Sequence, residues 1–132
     1  MVKLDRPLYH GTSNASSIMI IRVSGFKAPV YLTTDRQRAE HYAKAATAYL
    51  EQYAKDEGGS LIAEGYAVFT FRSLPNIDHL SPDDYSPNEP DQYVYQGRIG
   101  SLSHFVIDRY PLDVTPEEHL RLQCFAIGMW RR

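Results

Sequence analysis

The chain has 132 residues, 43% hydrophobic and 23% charged, with a formal net charge of −2, which suits a single domain over residues 1–132 and disfavours a nucleic-acid partner. Its one cysteine, Cys124, excludes an internal disulfide and a cysteine-based zinc site, and the histidines show no paired ligand spacing, so we predict no metal. The apolar runs are too short to span a membrane and the first residues lack a signal-peptide core, so we expect no membrane partner and a cytoplasmic location.

Glycine, proline and changes of hydrophobic period divide the chain into strands and helices. A short strand is predicted over residues 8–10, ending at Gly11. Ser13 or Asn14 then caps a short helix through about Ile21, because their side-chain oxygens can accept from the first free amides of a helix. Four later segments are rich in β-branched and aromatic residues and are predicted strands: 30–33, 66–71, 92–95 and 104–108.

A long helix is predicted from Thr34 to about Lys55. Thr34 and Gln37 form a capping-box pattern, and Asp35 suits the positive end of the helix dipole. Apolar side chains recur at steps of three and four residues and predict one buried face: Ala39, Tyr42, Ala43, Ala46, Tyr49, Leu50 and Tyr53.

In the second half of the chain, a loop and a final helix are predicted beside the strands. Residues 81–91 contain three prolines and several acidic residues and are predicted to form a loop. The last helix follows Thr115 and runs to about Ile127, with proline and two acids in its first turn. The order of elements predicts an α+β fold.

Three short motifs follow one another in the first third of the chain. Residues 8–12 read Leu-Tyr-His-Gly-Thr, residues 30–34 read Val-Tyr-Leu-Thr-Thr, and Tyr42 lies eleven positions after Tyr31. In this order they resemble the ADP-ribosyltransferase superfamily, in the branch of diphtheria toxin and the poly(ADP-ribose) polymerases, whose signature is a histidine, a tyrosine and a glutamate on three separate strands. The resemblance covers roughly residues 8–108. It implies a compact split β-sheet core with flanking helices, and NAD as co-substrate.

The resemblance implies that His10 and two tyrosines hold the nicotinamide riboside part of NAD. Tyr31 and Tyr42 would sandwich the nicotinamide ring, each stack contributing about 0.5–1.5 kcal/mol beyond area burial. His10 would hydrogen-bond a ribose hydroxyl, because an imidazole both donates and accepts. Each residue alone also has an ordinary structural interpretation, as a core tyrosine or a hydrogen-bonding histidine. The prediction therefore depends on their joint order.

Three residues next to His10 complete the cofactor-binding set that the resemblance implies. Gly11 would let the backbone approach the nicotinamide carboxamide closely. Thr12 and Ser13 lie at the turn into a helix N-terminus and would contact ribose or phosphate.

The third catalytic position departs from the family pattern, because residues 92–95 read Gln-Tyr-Val-Tyr and Gln92 stands where the family has glutamate. Glutamine keeps a hydrogen bond to the ribose but supplies no charge. A carboxylate about 4 Å from a unit positive charge is worth roughly 4 kcal/mol at an effective dielectric of about 20, on the order of a thousandfold in rate. Gln92→Glu is therefore expected to accelerate NAD hydrolysis.

Two neighbouring acids are alternatives for this third position. Strand alternation turns Asp91 to the face opposite Gln92, and Glu89 lies in the predicted loop, so either serves only if the register is shifted. If one of them is the working acid, Gln92→Glu would place two carboxylates side by side and leave the rate flat or lower.

These features predict a mono-ADP-ribosyltransferase that releases nicotinamide and modifies a macromolecular or small target, of a kind suited to a bacterial or phage effector or toxin. A catalytically silent NAD or ADP-ribose binding module is the alternative that Gln92 favours. An RNA 2′-phosphotransferase-like enzyme is a weaker alternative, because the chain lacks a basic stripe. The loop over residues 81–91 lies where the family has its target-recognition loop, and its acids favour a basic target surface unless the loop is merely solvated.

Overall fold

The computed structural model describes residues 2–23, 25–56, 65–83 and 91–130, and within these ranges it is an α+β fold, as predicted. The strands are β1 (Val2–Ser13), β2 (Val30–Thr33), β3 (Tyr66–Leu74), β4 (Leu80–Pro82), β5 (Gln92–Tyr95) and β6 (Phe105–Tyr110). The α-helices are α1 (Asn14–Arg22), α2 (Arg36–Asp56) and α3 (Pro116–Trp130), and short 3-10 helices cover Ile77–His79 and Leu102–His104.

The six strands form one antiparallel sheet in the order β4-β5-β2-β1-β3-β6. β1 pairs with β3 along most of its length, but it pairs with β2 only where Tyr9 lies opposite Thr33. The halves β4-β5-β2 and β1-β3-β6 therefore meet at one residue pair, and the sheet is nearly split there. This narrow joint positions the candidate site.

β1 is longer than the sequence indicated, and the prediction of a strand over residues 8–10 that ends at Gly11 was wrong in extent. The strand begins at Val2, opposite Leu74 of β3, and continues through Gly11 to Ser13, opposite Tyr66. Its charged first residues have little strand propensity of their own. Pairing of Val2 and Lys3 with the buried strand β3 holds the start of β1 extended, a tertiary effect that overrides local composition, and the register shifts between Lys3 and Leu8.

The core has a layer on each face of the sheet and a third between two helices. Helix α2 covers one face, where its small residues pack on β3; that cluster comprises Ala39, Ala43, Tyr66 and Val68. The opposite face carries an aromatic cluster that includes Phe26, Phe69, Phe71 and Phe105. Helix α3 packs on α2 through Ala45, Ala48, Leu122 and Ala126. The small side chains of α2 let its backbone approach both neighbours closely.

The helix starts agree with the sequence in two cases of three. Ser13 caps α1, as predicted, by accepting from the Ser16 amide at 3.1 Å. Thr115 caps α3 by accepting from the amide of Glu118 at 3.2 Å. In α2, however, Asp35 Oδ1 accepts from the amides of the first turn, so the cap is Asp35 and the predicted Thr34 capping box was wrong. Within the described ranges, no helix combines the length and apolarity needed to cross a membrane.

The predicted loop over residues 81–91 begins as a strand. β4 pairs with β5 so that Pro82 lies opposite Tyr93, and this pairing makes β4 an edge strand, where proline is tolerated. Residues 84–90, which include the candidate acid Glu89, lie outside the described residues.

Candidate active site

A cavity of about 670 Å³ opens at the joint between β1 and β2. Its lining includes Tyr9, His10, Gly11 and Thr12, four consecutive residues of β1. Successive side chains of a strand point to opposite faces of a sheet. A cavity can therefore reach four in a row only where the neighbouring strand has left the ladder, as β2 does after the Tyr9–Thr33 pair.

Most of the residues singled out in the sequence meet in this cavity. Those that line it are His10, Gly11, Thr12, Tyr31, Tyr42 and Gln92. Ser13 is not among the lining residues: it is buried, and its hydroxyl caps α1. Ser16, in the first turn of that helix, lines the cavity instead. The predicted ribose or phosphate contact of Ser13 stays a prediction, and the capping bond is a structural use of its side chain.

His10 joins the two strands where their backbone pairing stops. Its Nδ1 lies 2.8 Å from the carbonyl oxygen of Tyr31. Because a carbonyl oxygen only accepts, Nδ1 carries the proton and the neutral ring keeps Nε2 as an acceptor. The ring also contacts the edges of Phe26 and Phe69, at centroid distances of 5.2 and 6.2 Å. His10 thus has a structural role as well as a free chemical function at Nε2.

Burial lowers the pKa of His10 from its ordinary value of 6.5, and the hydrogen bond to the Tyr31 carbonyl opposes this shift in part. Below pH 6.5 the unfolded chain binds a proton at this residue before the folded protein does. The free energy of unfolding should therefore decrease as the pH falls from 6.5 towards the lowered pKa. Above 6.5, His10 adds no further pH dependence to the stability.

Urea denaturation of the wild type and of His10→Asn across this pH range tests the effect. The stability difference between them should shrink as the pH falls. The pKa of His41 is also lowered, by burial and by Lys44. Its effect on stability is present in both proteins and cancels in their difference. A difference independent of pH would show that His10 keeps its ordinary pKa.

The two tyrosines reach the cavity from different elements. Tyr31 projects from β2 and is 47% exposed. Tyr42 lies on α2 and stacks on Phe125 of α3, with ring centroids 5.7 Å apart and an interplanar angle of 21°. The packing against Phe125 supports one side of the Tyr42 ring and limits its motion.

The predicted buried face of α2 divides between the core and the cavity. Ala43 is fully buried in the core, as predicted. Tyr42, Ala46 and Leu50, spaced four residues apart, are half-buried and line the cavity. The side chain of Tyr53 lies outside the described residues. The prediction of one buried face was therefore wrong in part: it includes residues of a cavity wall and leaves out Ala45 and Ala48, which are fully buried against α3.

Gly11 is required by the packing of α2 on β1. A Cβ atom at this position would overlap the carbonyl oxygen of Ala39 and lie 2.9 Å from the Cβ of Ala43. The backbone of α2 crosses directly over the strand at this point, which only glycine permits. Its predicted approach to a carboxamide stays a prediction, and helix packing is an independent reason for glycine here.

Gln92 is buried, with 6% exposure, and its Nε2 donates to Thr33 Oγ1 at 3.3 Å. Asp91, one of the two acids considered as its substitute, is not among the lining residues. Its Oδ2 lies 3.2 Å from Arg38 Nε and accepts from Thr33 Oγ1 at 3.4 Å. Asp91 is therefore held by a cation beside the cavity.

Asp83 is a cavity residue whose role sequence reasoning missed. It is 7% exposed and lines the cavity. Its backbone amide donates to the carbonyl oxygen of Gln92 at 3.1 Å, which extends the β4–β5 ladder by one step. The sequence shows Asp83 only as one acid of a proline-rich stretch. Only the register of the β4–β5 pairing shows that Asp83 lies beside Gln92, and composition does not reveal that register.

Tyr9 is supported by a polar cluster that the sequence did not indicate. The guanidinium of Arg36 lies 5.8 Å from the centre of the Tyr9 ring. Arg36 donates to the hydroxyl of Tyr110 at 2.8 Å and pairs with Glu40 at 3.2 Å and Asp108 at 3.4 Å. These contacts fix α2 against β1 and β6 behind the cavity wall.

Comparisons with protein-family models, curated proteins and solved structures found no match. In the ranges described, no three histidine, cysteine or acidic side chains are grouped so that they could hold a metal ion.

Proposed function

We propose that this protein is a mono-ADP-ribosyltransferase that binds NAD in the cavity between β1 and β2 and transfers ADP-ribose to a macromolecular or small target. One observation carries the proposal: six residues chosen from their order in the sequence line one cavity. Its volume of about 670 Å³ is within the range of small-molecule sites. A cytoplasmic effector or toxin is the setting we propose for this activity.

The chemistry assigned to the cavity residues is positional. When the bond between the ribose anomeric carbon and nicotinamide breaks, its electron pair leaves with nicotinamide, and the ribose becomes oxocarbenium-like. Tyr31 and Tyr42 hold the nicotinamide ring between aromatic faces. His10 Nε2 accepts a hydrogen bond from a ribose hydroxyl and orients the sugar. A target nucleophile then bonds to the anomeric carbon and releases its proton to the solvent.

A catalytically silent NAD or ADP-ribose binding module is the second candidate, favoured by the neutral amide of Gln92 in the cavity. An RNA 2′-phosphotransferase is less well supported, because the lining among the described residues contains no lysine or arginine with which to hold an RNA phosphate.

The case for a basic target surface is weaker than the sequence indicated. Two acids of residues 81–91 are described: Asp83 is buried in the cavity, and Asp91 is paired with Arg38. The remaining acids of that loop lie outside the described residues. Neither of the two described acids therefore favours a basic target surface.

Incubation with NAD labelled on the adenosine side, with and without a cell lysate, tests the transferase proposal. We expect release of nicotinamide and transfer of the label to an acceptor. NAD binding without nicotinamide release would reject the transferase and favour the binding module. No binding of NAD or ADP-ribose would reject both.

Removing either stacking tyrosine should weaken NAD binding. Tyr31→Ala and Tyr42→Ala each lose a stack of about 0.5–1.5 kcal/mol, or roughly two- to tenfold in affinity, together with buried area. Calorimetry measures the change, and thermal melting confirms that each variant is folded. Val106→Ala, an exposed position of β6 outside the cavity lining, is the control and should bind NAD like the wild type. Unchanged affinity in both cavity variants would reject the stacking arrangement.

A further inference from the structure

Asp83 is the one acidic side chain among the described residues that line the cavity. It reaches the site from the end of β4, the edge strand beside β5. The other acid near Gln92 that the structure describes, Asp91, is held by Arg38 and does not line the cavity. The cavity therefore does contain a carboxyl group, although the sequence lacks one at position 92.

The strand register places Asp83 directly across from Gln92. Pro82 lies opposite Tyr93 in the antiparallel β4–β5 pair, so the next opposed pair is Asp83 and Gln92, and their 3.1 Å backbone hydrogen bond agrees with this register. Side chains directly opposed in an antiparallel pair lie on the same face, with Cβ atoms about 4.5–5.5 Å apart.

Both side chains are buried, at 7% and 6% exposure. Low exposure makes a charge in this position act more strongly than it would in water.

We propose that Asp83 supplies the carboxylate of the active site, in place of the glutamate that Gln92 replaces. This inference rests on the proposed transferase function. As the bond between the anomeric carbon and nicotinamide breaks, the electron pair departs with nicotinamide, and the negative charge of Asp83 stabilises the positive charge left on the ribose. Gln92 keeps a hydrogen-bonding role, with its Nε2 on Thr33. Asp83 thus supplies the negative charge and Gln92 the hydrogen bond, two functions that a single glutamate would combine.

A charge-swap experiment tests this assignment by measuring nicotinamide release. Asp83→Asn should lower the rate on the order of a hundred- to a thousandfold, with NAD affinity changed less than about threefold.

Gln92→Glu alone should leave the rate of nicotinamide release unchanged or lower it, because two adjacent carboxyl groups cannot both ionise readily. The double variant Asp83→Asn/Gln92→Glu moves the charge across the strand pair and should recover most of the lost rate. Asp78→Asn, an exposed acid of the same region, is the matched control and should match the wild type.

The possible outcomes separate this inference from the function on which it depends. Wild-type nicotinamide release that survives Asp83→Asn would overturn the role of Asp83 and leave the transferase proposal standing. A rate increase in Gln92→Glu alone would also overturn it, because that result means the site lacks a carboxylate; this variant stays informative if Asp83→Asn fails to fold. NAD binding with no nicotinamide release from the wild type would overturn the transferase proposal itself and the catalytic role of Asp83 with it.

Discussion

Replacing Gly11 with alanine should lower the free energy of unfolding by about 3 kcal/mol, the upper part of the range for overpacked cores. The added methyl group would overlap the carbonyl oxygen of Ala39 and press on Ala43. Both atoms belong to α2, so relief requires the helix to move away from β1. That movement would displace Tyr42, and we expect NAD binding to be lost along with stability. Urea denaturation at constant pH measures the change in midpoint.

Gly128→Ala is the matched control for this prediction. It lies in α3, and a Cβ atom there would meet nothing within 4 Å. Alanine is the better helix former by about 1 kcal/mol in a helix interior, so this variant should be as stable as the wild type or slightly more stable. A Gly11→Ala protein with wild-type stability would show that α2 does not cross β1 at this point.

The strands that the sequence predicted well are those whose composition alone favours extended structure. β2 and β5 have the bounds expected from residues 30–33 and 92–95. β4 and the first part of β1 were missed, because Leu80–Pro82 becomes a strand through pairing with β5, and the start of β1 does so through pairing of Val2 and Lys3 with β3. Such pairing depends on residues far away in the chain, which local propensity does not contain.

The same distinction explains which parts of the candidate site the sequence revealed. His10, Tyr31 and Tyr42 stand in a motif order that can be read along the chain, and all three line the cavity. Asp83 enters the site as the cross-strand neighbour of Gln92. Strand alternation predicted that Asp91 faces away from Gln92, and this was wrong, because Asp91 precedes β5 and both side chains reach the hydroxyl of Thr33. Asp91 is nevertheless not among the lining residues. The carboxyl group that lines the cavity comes from the end of β4, and only the pairing of β4 with β5 reveals it.

The structural role of His10 changes how its function should be tested. His10→Ala removes the 2.8 Å hydrogen bond to the Tyr31 carbonyl and leaves a cavity beside Phe26 and Phe69. The lost hydrogen bond alone is worth about 0.5–1.5 kcal/mol of stability. Loss of turnover in His10→Ala would therefore mix two effects, because β1 and β2 would also lose their link at the mouth of the cavity.

His10→Asn separates these effects. The amide nitrogen of asparagine can take the place of Nδ1 and donate to the Tyr31 carbonyl, but the side chain has no acceptor at the position of Nε2. We expect His10→Asn to keep most of the stability lost in His10→Ala. It should nevertheless lower nicotinamide release about a hundredfold, which is the cost of misplacing a reacting group by about 1 Å. Melting and steady-state release, measured on both variants, give the comparison. If His10→Asn keeps wild-type turnover, His10 acts only by joining the strands, and the ribose must be oriented by other residues of the lining. If both variants lose turnover while only His10→Ala loses stability, Nε2 is the atom that the reaction requires.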